Sequence, residues 1–354
     1  MSTAIVSDLH LSTVSEADVL RRPQARERLG EALSRADRVV VLGDLLELRE
    51  RRAEEALAIA TPALEAIGEA TAGRELVLVP GNHDYELVSP ALKRERLRGR
   101  SALPLEGRYS TDHGELSHRV AALMPDTDVS LAYPGLWLRD DVFATHGHYV
   151  DLHLTVPRVE SIFAHAVGRL MGANGPELSV DAYESALSPV YAFSHALAQS
   201  TRVNASVGRG NTSREMWVRA SGGGLAGLAL GGAAIPLAVT TLNRLGIGRF
   251  RPDISALELR RAGLRAMDQV IGELDIEAAH VIFGHTHRAG PLPGEVEGWW
   301  LRGGTRLHNT GSWILEEAFS ATEGPANPYW PGRVTWLDED GPPRFENVLE
   351  GLAL

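Results

Sequence analysis

Metal-binding residue types recur in five short motifs spread along the chain. Each motif contains aspartate, asparagine or histidine, and four of the five also contain a glycine, which permits a tight turn. The motifs are Asp8-Leu9-His10, Gly43-Asp44, Gly81-Asn82-His83-Asp84, His146-Gly147-His148 and Gly284-His285-Thr286-His287. Carboxylate, imidazole and amide ligands without thiolate suit Mn²⁺, Fe or Zn²⁺. Two such ions, about 3.5–4 Å apart and bridged by one aspartate, would hold a hydroxide and clamp both oxygens of a phosphoryl transfer.

The composition excludes several other kinds of site. The chain has 354 residues and no cysteine, so disulfides, thiolate nucleophiles and cysteine-based metal sites are excluded. The net charge of −11 provides no general basic surface for nucleic acid, so no nucleic-acid partner is expected. Lys93 is the only lysine, and the many arginines suit phosphate binding, although genome composition explains the bias equally well.

Short apolar runs alternate with helical patterns in the first third of the chain. Helices are expected over residues 23–36 and 53–72, and strands over residues 4–6, 39–42, 76–79, 142–145, 280–283 and 334–337. This alternation indicates parallel strands joined by crossover helices. One of the five motifs follows each of the first five strands, and ligands of α/β sheets bind beyond the carboxyl ends of the strands. We therefore expect the motifs to converge on one site.

The chain changes character between the fourth and fifth motifs. Apolar residues at helical spacing predict an amphipathic helix over residues 159–171, a second helix is expected over residues 189–199, and residues 200–215 have the composition of a loop. Ser255 and Glu258 form a capping box, which predicts a helix that runs to about Leu274. These patterns indicate a catalytic core of residues 1–150 and 271–354 with a helical cap over residues 151–270.

The Gly-rich segment 220–243 contains no charged residue and is long enough to span a bilayer. A single crossing would place the motifs on its two sides in different compartments, although they must meet in one site. The segment is therefore expected to be a buried cap helix, an interfacial element or a re-entrant hairpin. The first six residues resemble a strand rather than a signal peptide, which predicts a cytoplasmic protein with peripheral contact at the inner face of the membrane as an alternative.

The five motifs, in this order, resemble those of the calcineurin-like metallophosphoesterase superfamily. The resemblance implies an α/β sandwich of two mixed β-sheets flanked by helices, and hydrolysis of a phosphate ester or pyrophosphate by metal-bound hydroxide. It also implies two divalent metal ions, Mn²⁺ in the first place and Fe or Zn²⁺ as alternatives.

The same resemblance assigns a role to each motif residue. One ion would be bound by Asp8, His10 and His287, the other by Asn82, His146 and His285, and Asp44 would bridge the two. His83 would not be a ligand but a general acid or transition-state stabiliser near the leaving group, oriented by Asp84.

The details of three motifs most resemble the UDP-2,3-diacylglucosamine hydrolase branch, and the segment Asn309-Thr310-Gly311-Ser312-Trp313 fits that branch as well. An amphiphilic phospho-compound, lipid-linked or nucleotide-linked, is therefore the preferred substrate class. A soluble nucleotide or phosphodiester is the first alternative. A family fold that serves as a non-catalytic scaffold is the second.

Polar residues beside the motifs have a functional and an ordinary interpretation. His148, at the end of the fourth motif, and Arg288, directly after the fifth, are candidate substrate contacts; a loop position and a surface ion pair are the ordinary interpretations. Arg202, Arg209 and Arg214 precede the uncharged segment and could meet phosphate head groups. The charge run over residues 47–55 is interpreted as a solvated turn and helix start.

Overall fold

The computed structural model describes residues 1–99, 102–156, 159–170, 178–200, 235–245, 247–248, 250–251, 253, 255–315 and 324–354. The chain forms two compact units. The first comprises Met1–Gly147, Tyr191–Val207 and Glu277–Leu354, and the second comprises His148–Val190 and Gly208–Ile276. Tyr191–Val207 belongs to the first unit although it lies inside the expected cap, and the division into catalytic core and cap stays a prediction.

All the described strands lie in the first unit. They are β1 (Thr3–Val6), β2 (Arg38–Val41), β3 (Glu75–Leu78), β4 (Glu106–Ser110), β5 (Asp128–Arg139), β6 (Val142–Thr145), β7 (His280–Phe283), β8 (Arg306–Asn309), β9 (Arg333–Leu337) and β10 (Arg344–Asn347). The strand order is β10-β9-β1-β2-β3-β5-β6-β7-β8, and β4 pairs with β5. Parallel pairs β1–β2, β2–β3, β6–β7 and β7–β8 occur beside antiparallel pairs such as β1–β9.

The long strand β5 belongs to two sheets. Its first half pairs with β3 and β4, and from Gly135 onward it pairs with β6. Gly135 is needed at this change of partner, because an added Cβ would lie 2.5 Å from the carbonyl oxygen of Ala144. The predicted α/β class with two mixed sheets and flanking helices is confirmed.

The five strands that precede the motifs, β1, β2, β3, β6 and β7, consist mostly of apolar residues. Ile5, Val40, Val77 and Ile282 are fully buried and belong to one hydrophobic cluster. Strands that are buried on both faces are typical of parallel sheets covered by helices, and their burial holds the strand ends in fixed positions.

The described helices are α1 (Pro23–Leu33), α2 (Ala53–Thr71), α3 (Ser89–Leu97), α4 (Glu115–Ala122), α5 (Val159–Leu170), α6 (Val180–Gln199), α7 (Ile235–Arg244) and α8 (Ala256–Glu273). The predictions of α1, α2, α5 and α8 are confirmed, and the Ser255 hydroxyl caps α8 by accepting from the Glu258 N–H at 3.2 Å. The predicted start of the second cap helix at residue 189 is wrong, since α6 begins nine residues earlier and carries Pro189 in its interior.

The second unit holds a buried polar network of tyrosines and carboxylates. The rings of Tyr149 and Tyr183 stack in parallel with centroids 4.5 Å apart. Tyr149 donates to Glu184 at 2.8 Å, and Tyr183 donates to Glu273 at 2.7 Å and contacts His153. The network ties the start of the unit to α6 and α8.

Within the described residues, no helix is long and apolar enough to span a membrane. Of the uncharged segment 220–243, residues 235–243 belong to the ten-residue helix α7, and the remainder lies outside the described residues. The predicted loop 200–215, with its three arginines, lies outside them as well, apart from residue 200.

Candidate metal centre

The five motifs follow β1, β2, β3, β6 and β7, and their seven predicted metal ligands, which all belong to the first unit, lie close together. The parallel strands β1, β2 and β3 end side by side, and β6 and β7 end side by side in the other sheet. Buried strands therefore place polar residues at the carboxyl edges of both sheets, which is the arrangement expected from the sequence.

The first group of potential ligands combines a carboxylate with two imidazoles. The ligand atoms of Asp8, His10 and His287 all lie within 4.8 Å of one another. His287 Nε2 is 3.4 Å from Asp8 Oδ1 and 3.0 Å from His10 Nε2. Asp8 and His10 are buried, and His287 is partly exposed, so the group opens toward solvent on one side.

The second group is built around Asp44, whose carboxylate also faces the first group. Asp44 Oδ2 lies 3.2 Å from His146 Nε2 and 3.6 Å from His10 Nε2. The ligand atoms of Asp44, His146 and His285 again lie within 4.8 Å of one another. Asn82 Oδ1 lies 3.3 Å from His146 Nε2 and 3.1 Å from His285 Nδ1. Asp44 is thus the residue placed to be shared by the two groups.

This donor set fits two divalent ions. The described residues form three overlapping groups of potential ligands: Asp8, His10 and His287; His10, Asp44 and His83; and Asp44, His146 and His285. Asn82 Oδ1 lies beside the third group, and none of the three contains sulfur. Such sets suit Mn²⁺, Fe and Zn²⁺ rather than a thiolate-bound metal.

Five of the seven predicted ligands adopt left-handed backbone conformations. The φ angles are 53° at Asp8, 42° at His10, 51° at Asp44, 65° at His285 and 58° at His287. Non-glycine residues in this region are strained, and such strain persists only where the surroundings enforce it. The buried strands and close-packed loops therefore fix the ligands in directions that an unconstrained chain would avoid.

The glycines of the motifs are required by close packing. A Cβ at Gly81 would lie 2.2 Å from Asp44 Oδ1, and a Cβ at Gly43 would lie 2.1 Å from the His146 ring. These positions leave room only for hydrogen.

His83 has a different carboxylate partner from the one expected. Its Nδ1 lies 2.6 Å from Glu47 Oε2, and its Nε2 lies 3.3 Å from Arg49 Nη1. Asp84 instead accepts backbone N–H groups, from Gly81 at 2.7 Å and from Leu45 at 2.7 Å. The expectation that Asp84 orients the His83 ring is therefore corrected: Glu47 contacts the ring.

Glu47 is the functional candidate that sequence reasoning missed. It is 2% exposed, so the interpretation of this position as part of a solvated turn is wrong. Its Oε2 also accepts from His10 Nδ1 at 3.2 Å, so one carboxylate contacts a ligand histidine and His83. The available signal was the run Leu45-Leu46-Glu47-Leu48, in which a single acid stands among apolar residues.

Charges of opposite sign shift the pKa values of the buried groups. Burial alone would lower the pKa of His146, but Asp44 outweighs it and raises the pKa to about 10. Burial also opposes the charged form of His10, whose pKa is nevertheless raised by the carboxylates of Glu47 and Asp44. The pKa of Glu47 is held well below its usual range, because His83 and His10 outweigh its burial. Without ions, the carboxylates of this site therefore stabilise positive charge on His10 and His146.

The two candidate substrate contacts have contrasting surroundings. The Arg288 guanidinium lies 2.5 Å from Glu295 and over the Trp299 ring, so its described contacts are those of an internal ion pair. His148 is 1% exposed and belongs to the second unit. Their roles in substrate binding stay predictions, and Arg49 beside His83 is a further candidate.

The segment that follows β8 supports the first and fifth motifs. Thr310 Oγ1 contacts the Ser7 hydroxyl, which donates to Asp8 Oδ2 at 2.5 Å. Trp313 donates its backbone N–H to the Asp8 carbonyl, and Asn309 Nδ2 donates to the Gly284 carbonyl, both at 2.9 Å. These contacts hold the two motifs against each other.

The chain was compared with protein families, curated proteins and solved structures. The model of the family described as calcineurin-like phosphoesterase matches residues 1–172, which contain the first four motifs. No curated protein matches the sequence. The crystal structure of a dimetal phosphatase from Danio rerio is 14% identical, covers 95% of each chain and has a TM-score of 0.34, too low to support an argument.

Proposed function

We propose that this chain, whose residues 1–172 match the calcineurin-like phosphoesterase family, is a metal-dependent phosphoesterase that hydrolyses a phosphate ester or pyrophosphate bond of an amphiphilic phospho-compound. The observation that carries the reaction is the set of overlapping ligand groups around Asp44, one of which contains His83. A lipid-linked or nucleotide-linked substrate, as in the UDP-2,3-diacylglucosamine hydrolase branch, is the finer part of the proposal.

The residues around Asp44 would hold two divalent ions, Mn²⁺ in the first place. Asp8, His10 and His287 would bind one ion, and Asn82, His146 and His285 the other. When bound, the two ions supply an activated water nucleophile and neutralise charge on the phosphoryl oxygens.

His83 would give a proton to the leaving oxygen. A carboxylate can only accept a hydrogen bond, so Glu47 fixes the Nδ1–H tautomer of His83 when the ring is neutral. In this tautomer Nε2 accepts from Arg49 Nη1 at 3.3 Å, because a guanidinium can only donate. The proton to be donated would sit on Nε2 of the imidazolium form, which requires Nε2 to exchange Arg49 for the leaving oxygen. Arg49 would contact a phosphate oxygen, since a guanidinium binds phosphate bidentately.

The preference for an amphiphilic substrate rests on the chain between the fourth and fifth motifs. This insertion contains the uncharged segment 220–243, and in its described part Leu237 and Leu245 of α7 and the following turn are 70% and 63% exposed. Exposed apolar surface costs about 25 cal/mol per Å², which favours contact with acyl chains or a membrane surface. A soluble nucleotide or phosphodiester is the alternative substrate.

The test uses the full chain with Mn²⁺ and two matched pairs of substrates. Hydrolysis of an aryl phosphate and its diester should depend on Mn²⁺ and stop on chelation. A UDP-sugar and its diacylated form should differ, with the acylated form giving the higher kcat/KM. The soluble nucleotide or phosphodiester would replace the amphiphilic substrate if two results were found together. The two UDP-sugars would have equal kcat/KM, and the protein would not co-sediment with anionic phospholipid vesicles.

Arg49 offers a separate test of phosphate recognition. Arg49→Ala should raise KM by about 10-fold or more, the scale of one lost charge-assisted hydrogen bond. Arg52→Ala is the matched control, because Arg52 is half exposed and pairs with Glu54. An unchanged KM for Arg49→Ala would remove Arg49 from the substrate site.

A further inference from the structure

Two of the motif loops are joined to each other by buried carboxylates that point in opposite directions. Asp44, in the loop after β2, accepts the backbone N–H of His83 in the loop after β3 at 2.9 Å. In return Asp84, in the loop after β3, accepts the N–H groups of Leu45 and Leu46 in the loop after β2, at 2.7 and 3.4 Å. Each loop thus supplies a carboxylate to the backbone of the other.

Asp84 also bonds its own loop, since its second oxygen accepts the Gly81 N–H at 2.7 Å. It is 1% exposed, and a buried carboxylate is tolerated only where hydrogen bonds replace its hydration. Three backbone N–H groups from two loops provide that replacement. Asn82 directly follows the donor Gly81, and Asp44 directly precedes the donor Leu45.

We propose that Asp84 is a positioning residue that sets the spacing between Asp44 and Asn82 and so creates the site of the second metal ion. The inference rests on the proposed roles of Asp44 and Asn82 as ligands. A neutral amide oxygen is a weaker ligand than a carboxylate, so the ion held by Asn82 is the more sensitive to loosened loops. The group of Asp8, His10 and His287 takes no residue from the loop after β3, and its ion should persist.

The decisive variant is Asp84→Asn, which keeps the shape of the side chain. It replaces one carboxylate oxygen by an NH₂ group, which cannot accept a hydrogen bond from the backbone N–H that faces it. In a metal-buffered solution, wild-type protein should bind two Mn²⁺ ions per chain, and the variant should bind the second ion about 10–100-fold more weakly. Its electron paramagnetic resonance spectrum should change from that of an exchange-coupled Mn²⁺ pair to that of an isolated ion. Excess Mn²⁺ should restore the coupled spectrum.

Asp18→Asn is the matched control. Asp18 is 2% exposed and accepts the backbone N–H of Ser12 at 3.1 Å, but it joins no two motif loops. This variant should lose thermal stability and still bind two coupled ions, because a general loss of buried hydrogen bonds does not change the metal stoichiometry.

Asp84→Glu separates position from charge, since it keeps the negative charge but displaces the carboxylate. We expect it to lose the second ion as Asp84→Asn does. The proposal is overturned if Asp84→Asn retains a coupled pair at wild-type affinity, if Asp84→Glu retains the pair, or if the Asp84 variants fail to fold. A wild-type protein that binds fewer than two ions would instead contradict the proposed dinuclear function.

Discussion

The sheet of β6, β7 and β8 contains buried histidines in two opposite electrostatic surroundings. One is His146 at the end of β6, and the other is the pair of His280 on β7 and His308 on β8. His146, at the end of β6, is fully buried beside Asp44, and its pKa is raised to about 10. His308 on β8 is 6% exposed and lies 2.9 Å from His280 on β7; burial, with His280 and Arg306 nearby, lowers its pKa to about 3.

Since both imidazoles are buried, the neighbouring charges decide the sign of the shift. Carboxylates around His146 attract positive charge, whether a proton or a metal ion. The pair on β7 and β8 keeps its imidazoles neutral. The comparison therefore separates histidines arranged to hold cations from histidines that only fill the core.

The largest effect should come from removing the shared carboxylate. Asp44→Ala should bind neither ion tightly and lose about 10³-fold or more in kcat/KM, since several kcal/mol of charge stabilisation disappear. The pKa of His146, followed by NMR in metal-free protein, should fall toward that of an ordinary buried histidine. Two tightly bound ions, or an unchanged His146 pKa, would break the contrast between the regions.

His83 should separate catalysis from metal binding. His83→Ala should keep both ions but lower kcat by about 10²-fold or more, the usual scale for a lost proton donor.

Glu47→Gln should lower kcat less than His83→Ala does. It should also weaken binding of the ion held through His10 by about 10–100-fold, because Glu47 contacts the rings of both His10 and His83. Full turnover in metal-loaded His83→Ala protein would refute the role of His83, and unchanged metal affinity in Glu47→Gln that of Glu47.

The parts of the site that could be predicted from the sequence are those whose residues lie next to one another along the chain. Strands β6 and β7 were predicted with their observed limits, because short apolar runs end directly at His146 and at the residue before His285. Strand β5 was missed because Pro134 and Gly135 interrupt its pattern where it changes sheets. The α/β class followed from the alternation of strands and helices, which survives such local irregularities.

Long-range contacts explain the rest. The burial of Glu47 depends on rings from two other motifs, and nothing in its charged neighbourhood indicates them. The family resemblance implied that Asp84 orients His83, whereas the Asp84 carboxylate accepts backbone N–H groups of its own loop and of the loop after β2. The left-handed backbone of five ligand residues could not be predicted either, since aspartate and histidine adopt this conformation more often than most residues but still only in a minority of positions.

Metal affinity should rise with pH. The raised pKa of His146, about 10, means that below this value an ion must displace a proton from the imidazole. The apparent affinity for Mn²⁺ should therefore increase by up to about 10-fold per pH unit between about pH 6.5 and 8.5. Calorimetry in buffers of different ionisation enthalpy should show proton release, and a pH-independent affinity would contradict it.

The smallest effect is expected at the pair of His280 and His308, where the pKa of His308 is lowered rather than raised. The pKa of His308, about 3, lies below the ordinary value of 6.5, so as pH falls the unfolded chain takes up this proton first. Stability contributed by the neutral ring is present above about pH 6.5 and is lost toward pH 3, by at most about 1.4 kcal/mol per pH unit. His308→Gln cannot titrate, yet it keeps a hydrogen-bonding group for His280 Nδ1. Urea unfolding of metal-free protein between pH 7 and 4.5 should show a shallower loss of stability for the variant. Parallel losses for both proteins would mean that the ring of His308 is not held neutral, and the contrast with His146 would fail.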